Sequence, residues 1–533
     1  MPTIADFIIE NANIFTSDEG KPRAEALAVK DNKIIFVGTN EEVKQFKDSS
    51  TRVIDGKGRT VTPGFIDSHF HLLWGAISMG GAQLYDAKNL DDVKQVLQAF
   101  AAENKTNEWI DGRGIKYDII SNRQELDAVV SDKPVYINAY DGHTSWANTK
   151  ALEIAGILQP GKEAPGVGLI VRDENGLATG ELRETAMGLV SDLIPEPSEA
   201  RKRELLKMTI KKINATGVTG VHNMNGDMEE LMVYAALEDA GEMTLRVYVP
   251  YHIKPETTEE MVKQEAAEMA KVQGEFARGG AAKFFMDGVW ESYTALNVEP
   301  YADNPEANPD GIYSLEHFTR MAQLCDKMGL QIFVHCCGDG AVRRTLDGYE
   351  AIQRSNGKRD SRHRVEHIEV YHPDDLPRFK QLGVLPSMQT SHAPFSVDEG
   401  DVWPSRVGEQ RWPLSFAWRD IKNAGNNIAF GSDWPVAPYD PMINLHVGMN
   451  REKWNPNDPN QNLTLEEVII GYTRDAAYAE FKENEKGQIK EGYLADMVLF
   501  SHDLFALDPK EIMTAKPVMT IVDGKVVFEE NDK

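Results

Sequence analysis

The most chemically loaded stretch of the chain is Val61-Thr-Pro-Gly-Phe-Ile-Asp-Ser-His-Phe-His71, which ends in a His69-x-His71 pair. Residues two apart on a strand leave the same face, and two imidazoles side by side can hold one divalent metal. Such a pair also recurs by accident, so other ligand types must be found where the fold could bring them near. His335 closes the apolar run Leu330-Gln-Ile-Phe-Val-His335, His367 closes Arg364-Val-Glu-His367, and Asp433 closes Ile428-Ala-Phe-Gly-Ser-Asp433. Lys283 lies within Ala281-Ala-Lys-Phe-Phe-Met-Asp287. Any one of these could be an ordinary core residue. Five apolar runs that all present metal-competent side chains are a much rarer coincidence.

Those runs can meet only if their ends converge. Short apolar runs alternate with amphipathic stretches through the middle of the chain, which predicts parallel strands in βα units. Candidate strands are 61–69, 134–140, 217–222, 244–250, 281–286, 330–335, 363–368, 383–388 and 427–432. An eight-stranded α/β barrel needs one fewer, and in such a barrel catalytic groups gather at one rim from several strands. The extra strand is 134–140. It lies in 76–204, a stretch without a clean βα rhythm that reads as an insertion after the first barrel strand. The first sixty and last fifty residues read instead as short strands and turns, with a hairpin signal at Asp523-Gly524. Neither end makes a stable sheet alone, so the two are expected to form one small β domain.

Bulk properties narrow the function classes. The chain has 533 residues, 41% hydrophobic and 26% charged, as in ordinary globular proteins. Its net charge is −27, which supplies no basic face for nucleic acid. Three cysteines, Cys325, Cys336 and Cys337, cannot build a disulfide framework, which fits a reducing compartment. The N-terminus lacks a basic, apolar leader, and no run approaches 18 apolar residues. The expectation is a cytoplasmic enzyme with a small-molecule substrate, no nucleic-acid partner and no membrane partner. A homodimer is the default assembly.

The order His69-x-His71, Lys283, His335, His367, Asp433 resembles the metal site of the amidohydrolase superfamily. The phrasing is closest to its amidohydrolase-3 or YtcJ-like branch, which includes N-substituted formamide deformylases. The matching stretches are Thr62–His71, Asp141-Gly-His-Thr-Ser-Trp-Ala-Asn148, Gly180-Glu-Leu-Arg-Glu184, Lys283–Gly288, His335-Cys-Cys-Gly-Asp339, Arg364–His367 and Gly431-Ser-Asp-Trp-Pro435. The resemblance implies a (β/α)8 TIM barrel beside a β-sandwich made from both chain ends. The division expected is 1–60 plus 484–533 for the sandwich, 61–75 plus 205–483 for the metal-dependent barrel, and 76–204 for an insertion near the active-site mouth.

By that resemblance His69, His71 and Asp433 hold one metal and His335 and His367 a second. Lys283 bridges them as a carbamate formed with CO2. Zinc is the default ion. An ammonium cannot ligate, so Lys283 must first become a neutral amine, which burial favours. The alternative is a charged Lys283 paired with a carboxylate such as Asp287, and a single metal. The implied reaction is hydrolysis of a C–N bond in an amide, N-formyl or cyclic amide by metal-bound hydroxide, with Asp433 as general base. A same-fold deaminase, esterase or isomerase with one metal is the alternative, and a non-catalytic binding protein a further one.

Further positions admit either a functional or a plain structural role. His143 could bind the carbonyl oxygen of a tetrahedral intermediate or merely stabilise a turn beside Asp141. Arg183 falls in a family-like segment and His222 ends a barrel strand, so both are candidates for substrate binding. His363 starts a strand at the opposite face and is expected to be structural. Cys336 and Cys337 are expected to pack beside the site. The segment holding Trp403, Arg406, Arg411, Trp412, Phe416 and Trp418 either packs or lines the pocket.

Overall fold

The computed structural model describes residues 3–105, 108–117, 119–140, 142, 144–165, 168–399 and 402–530. They form two compact units, Met1–Leu72 with Ile210–Lys533, and Leu73–Thr209. The first unit contains eight parallel strands: β1 (Phe65–Phe70), β2 (Val218–Asn223), β3 (Arg246–His252), β4 (Ala277–Phe285), β5 (Gln331–Cys336), β6 (Arg364–His367), β7 (Leu385–Met388) and β8 (Ala429–Phe430). They pair in that order. A parallel bridge between Phe70 and Trp434 joins the last segment to the first and closes a TIM barrel. Helices such as Met228–Asp239, Glu259–Met269 and Leu315–Lys327 run between the strands, each started by a capping side chain (Asp227, Thr258 and Ser314) that accepts a backbone N–H of the first turn.

The first barrel strand begins later than the sequence predicts. Instead of one strand over 61–69, Thr60–Pro63 belongs to another sheet and β1 starts at Phe65. Gly64 is the switch. A Cβ there would lie 2.3 Å from the Thr219 side chain on β2, so only glycine lets the chain pass that close.

Inside the barrel, strand alternation stacks the side chains. Ala281 and Phe333 join Met224 and Tyr248 in a buried apolar cluster. Two residues further along β4 and β5, on the same inward face, come Lys283 and His335. The alternation thus lays an apolar floor and a layer of ligand-type groups above it.

Both chain ends build the second sheet system of this unit. Four strands, Phe7–Glu10, Ala26–Lys30, Lys33–Gly38 and Arg52–Asp55, make one sheet. The other pairs Asn13–Phe15, Arg23–Ala24 and Thr60–Pro63 with the C-terminal Met497–Phe500, Pro517–Val522 and Lys525–Glu529. One buried cluster holds Ile9, Leu27, Val29 and Val61 together with Met497, Leu499 and Ile521. Neither end could bury its apolar face without the other.

The unit Leu73–Thr209 follows β1 in the chain and has its own six-stranded sheet and its own cores. The surplus strand of the sequence reading lies here, as Val135–Ala139. Among the described residues no helix is long and apolar enough to cross a membrane.

Candidate metal centre

The site is assembled where β1 and β8 meet. Asp433 N–H donates to the His69 carbonyl at 2.7 Å, and His71 N–H donates to the Trp434 carbonyl at 2.8 Å. Asp67 clamps the same seam. Its Oδ1 accepts the backbone N–H of Ser432 at 2.9 Å and of His69 at 3.2 Å. Burial pushes the Asp67 carboxyl up to about 7, against these hydrogen bonds. Gly431 makes the approach possible, because a Cβ there would sit 2.4 Å from the His69 nitrogen.

That seam brings Asp433 onto the histidine pair. Its Oδ1 lies 3.0 Å from His71 Nε2 and 3.4 Å from His69 Nε2. His367 joins from β6, its ring centroid 4.6 Å from that of His69. One donor atom from each of His69, His367 and Asp433 falls within 4.8 Å of the others. His335 extends the cluster, 4.4 Å from His367 between ring centroids. Its Nε2 lies 3.1 Å from the Gly288 carbonyl, a bond only an Nε2–H can make, which leaves Nδ1 as the lone-pair nitrogen.

Two of these residues hold left-handed backbones, His367 at φ 72° and Asp433 at φ 62°. Such conformations are costly for side-chain-bearing residues and cluster at functional sites. The turn at His367 has a direct use. It breaks strand alternation, so Glu366 and His367, although adjacent, both reach the site.

Electrostatics favour neutral imidazoles. Burial, reinforced by Lys283, brings His335 down to about 4, and burial also holds His69 and His367 well below the ordinary histidine range. Burial alone would raise Asp433, but His69 and His71 outweigh it and hold the carboxyl well below its usual range. Lys283 is fully buried on β4. Burial brings it down to about 8, against the pull of Glu366 and Asp433. Its Nζ has no hydrogen-bond partner among the described residues, and neither does His367 Nδ1. Asp287 is not the partner of Lys283: its carboxylate accepts the N–H groups of Leu296, Cys337 and Gly338 at 3.0, 3.1 and 2.9 Å. Neutral imidazoles, one ionised carboxylate and an unpartnered buried amine form a donor set that fits divalent metal.

A family model described as the amidohydrolase family matches residues 52–528. The chain belongs to the amidohydrolase family. It is 30% identical to the Bacillus subtilis (strain 168) protein YtcJ over 97% of this chain and 98% of that one. It is 27% identical to an N-substituted formamide deformylase of Arthrobacter pascens, over 99% of each. Among solved structures, an uncharacterized metal-dependent hydrolase from Pyrococcus horikoshii OT3 superposes with a TM-score of 0.75 at 25% identity, covering 95% of this chain and 98% of that one. This amidohydrolase is therefore a metal-dependent hydrolase of the YtcJ-like branch.

The other expected site residues divide. His222 is fully buried, with Nδ1 2.8 Å from Arg364 Nη1 and Nε2 3.3 Å from Glu480 Oε1. Its strand delivers it into the closed barrel, beneath the rim. Arg183 ends a strand of the other unit and is exposed, with Nη2 2.6 Å from Glu181. His143 lies outside the described residues, as does the side chain of Glu184. His363 is structural as expected, its Nε2 3.2 Å from Asp326. Cys336 contacts Thr345 at 3.2 Å, while Cys337 Sγ lies 3.4 Å from His335 Nε2. Burial raises both thiols well above their ordinary range. The aromatic segment packs: Trp403 donates to Glu369 at 2.8 Å, and Arg411 donates to the Glu299 and Pro300 carbonyls at 2.7 and 2.8 Å.

Sequence reasoning missed two groups in this amidohydrolase. His392 follows β7 in a short 3-10 turn, with Nε2 3.7 Å from Asp433 Oδ2 and its ring stacked 5.9 Å from His367. It lies four residues past its strand, beyond a search confined to strand ends. Glu366 lies beside His367 in the Arg364-Val-Glu-His367 phrase, one residue short of the strand end.

Proposed function

We propose that this amidohydrolase cleaves a C–N bond in a small amide, N-formyl or cyclic amide substrate, using two divalent ions, with zinc the first choice. His69, His71 and Asp433 would hold one ion, and His335 and His367 the other, with Lys283 between them as its CO2-derived carbamate. The observation that carries this is the grouping of Asp433 with His69, His71 and His367 beside a buried lysine whose amine has no hydrogen-bond partner among the described residues. The similarity to an N-substituted formamide deformylase supports the choice of bond.

Bound metal supplies Lewis acidity that polarises a carbonyl and acidifies water. The chain's own groups do the rest. Asp433 presents Oδ1 to His69 and His71 and Oδ2 to His392, so one oxygen serves the ligand cluster while the other is placed to take a proton from the attacking water. With its carboxyl well below the usual range, Asp433 is ionised at neutral pH, ready as base, and passes the proton to the departing nitrogen. Buried His335 and His367 stay neutral, which keeps their lone pairs available. His143 and Arg183 keep their expected part in substrate binding, and a cytoplasmic homodimer remains the working assembly.

The test is a screen of N-formyl amines, N-acyl amino acids and cyclic amides with zinc-loaded protein, a chelated control, and a metal count. Amine and acid release with two ions per chain is expected. Ammonia release with one ion, or no C–N hydrolysis across the panel, would replace this reading with the single-metal deaminase.

A further inference from the structure

Beneath the ligand cluster lies a buried group that the reaction does not use. Arg364, on β6, is fully enclosed, and so is Glu366 two residues along the same face. Arg364 Nη2 donates to Glu366 Oε2 at 3.0 Å, and its Nε lies 2.8 Å from Oε1. The same guanidinium donates to the Ser68 carbonyl on β1 and to Ser387 Oγ on β7 at 2.9 Å, and it meets His222 Nδ1 on β2 at 2.8 Å. Its plane also covers the Phe333 ring on β5, 4.2 Å from the centroid. Arg364 therefore ties β1, β2, β6 and β7 at the barrel centre and rests on β5. An arginine has donors only. Each group facing it must accept, so Glu366 is held as a rigid pair of acceptor oxygens.

Glu366 also meets a histidine of the ligand cluster. His69 Nδ1 lies 2.8 Å from its Oε2. An ionised carboxylate cannot donate, so the proton is on His69 Nδ1 and the lone pair is on Nε2. That lone pair faces Asp433 Oδ1 across 3.4 Å, one acceptor opposite another. Two acceptors at that distance repel unless a cation or a proton stands between them.

We propose that the Arg364–Glu366 pair is the positioning device of the metal centre. It fixes His69 as the Nδ1–H tautomer and aims its lone pair at Asp433. An imidazole without that partner would favour the opposite tautomer here, because an Nε2–H could donate to Asp433 Oδ1 and would block the coordinating nitrogen. The pair thus sets the site before any metal arrives, and Arg364 keeps Glu366 in place through contacts to strands on both sides. This rests on the reading of His69 as a ligand, but the tautomer itself is a property of the metal-free protein.

The test begins with selectively 15N-histidine-labelled, metal-free protein. Its His69, identified by loss of the signal in His69→Gln, should show a protonated Nδ1 and an unprotonated Nε2. The double variant Arg364→Met with Glu366→Met removes both buried charges together, a replacement that often leaves stability nearly unchanged. It should move the His69 proton to Nε2 and weaken zinc binding, measured by chelator competition, about 10- to 100-fold. Glu366→Gln keeps an acceptor oxygen and should lose less affinity than the double variant. A folded double variant with wild-type zinc affinity and Nδ1–H at His69 overturns the proposal. Should that variant not fold, an Nε2–H at His69 in the wild-type protein overturns it equally, and Nδ1–H together with weakened zinc binding in Glu366→Gln supports it. Wild-type protein that binds no zinc while keeping the Nδ1–H tautomer would sink the metal reading and leave the positioning intact.

Discussion

Asp433→Asn separates the charge of the proposed base from its shape. Asp433 holds a left-handed backbone at φ 62°, which asparagine tolerates far better than alanine or a β-branched residue. The hydrogen bond that closes the barrel here comes from the residue's backbone N–H, 2.7 Å from the His69 carbonyl, so it survives the change. The amide fills the same volume. What disappears is the carboxylate, which His69 and His71 hold ionised against its burial. Losing a positioned general base costs about 10²- to 10⁴-fold in rate. That is about 2.7–5.4 kcal/mol of transition-state stabilisation at ~1.36 kcal/mol per tenfold. The upper half of that range is expected, since Oδ1 of the same carboxylate also meets the ligand cluster at 3.0 and 3.4 Å. The assay is kcat and KM for formate release from an N-formyl amine, with bound metal counted on the same sample. Asp433→Ala is the companion: it removes the carboxylate too but adds about 1 kcal/mol of backbone strain, seen as a lower Tm. A folded Asp433→Asn protein with its full metal complement and turnover within tenfold of wild type would refute the assignment of the base.

Three other outcomes are expected. Gly431→Ala should cost at least about 1–3 kcal/mol of stability and loosen metal binding, because its Cβ would meet the His69 backbone nitrogen at 2.4 Å and Asp67 Oδ1 at 2.8 Å. Urea melts and zinc titration read both effects. Asp496→Ala leaves Arg246 buried without the carboxylate it meets at 2.7 and 3.1 Å, which should cost about 3–5 kcal/mol in chemical denaturation. Burial lowers His222 from the ordinary histidine range to about 4. A depressed histidine contributes stability that is present above about 6.5 and lost as pH falls toward its folded value. The gap in unfolding free energy between wild type and His222→Gln, measured on metal-free protein, should therefore shrink between pH 6.5 and 4.

The ligand set was legible because barrel architecture turns sequence position into spatial position. A residue at the end of an apolar run becomes a residue at the rim, so His335 on β5, His367 on β6 and Asp433 after β8 could be paired with His69 before any coordinates. Residues that break the rule stayed hidden. His392 lies past the end of β7 in a short turn, and Glu366 lies one residue before the end of β6, on the inward face it shares with Arg364, while the left-handed backbone turns His367 to the same site. The start of β1 failed for a related reason. Val61, Phe65 and Ile66 read as one apolar run, and the close approach of Thr219 to Gly64 divides it between two sheets.

Closure of the barrel and assembly of the site are one event. The two hydrogen bonds that join the last segment to the first, Asp433 to His69 and Trp434 to His71, involve the backbones of three residues whose side chains form the ligand cluster. Asp67, beside them, holds the Ser432 and His69 N–H groups and so fixes the spacing of the seam. A metal that binds His69, His71 and Asp433 therefore links the first and last strands of the barrel a second time, through side chains. The unfolded chain holds these residues far apart, so the ion has no preformed site there and its binding energy adds to folding. Strain at His367 and Asp433 fits the same logic. Left-handed backbones at both positions are tolerable where the surrounding structure over-determines them, and what they supply is two groups aimed at the histidine pair at the end of β1.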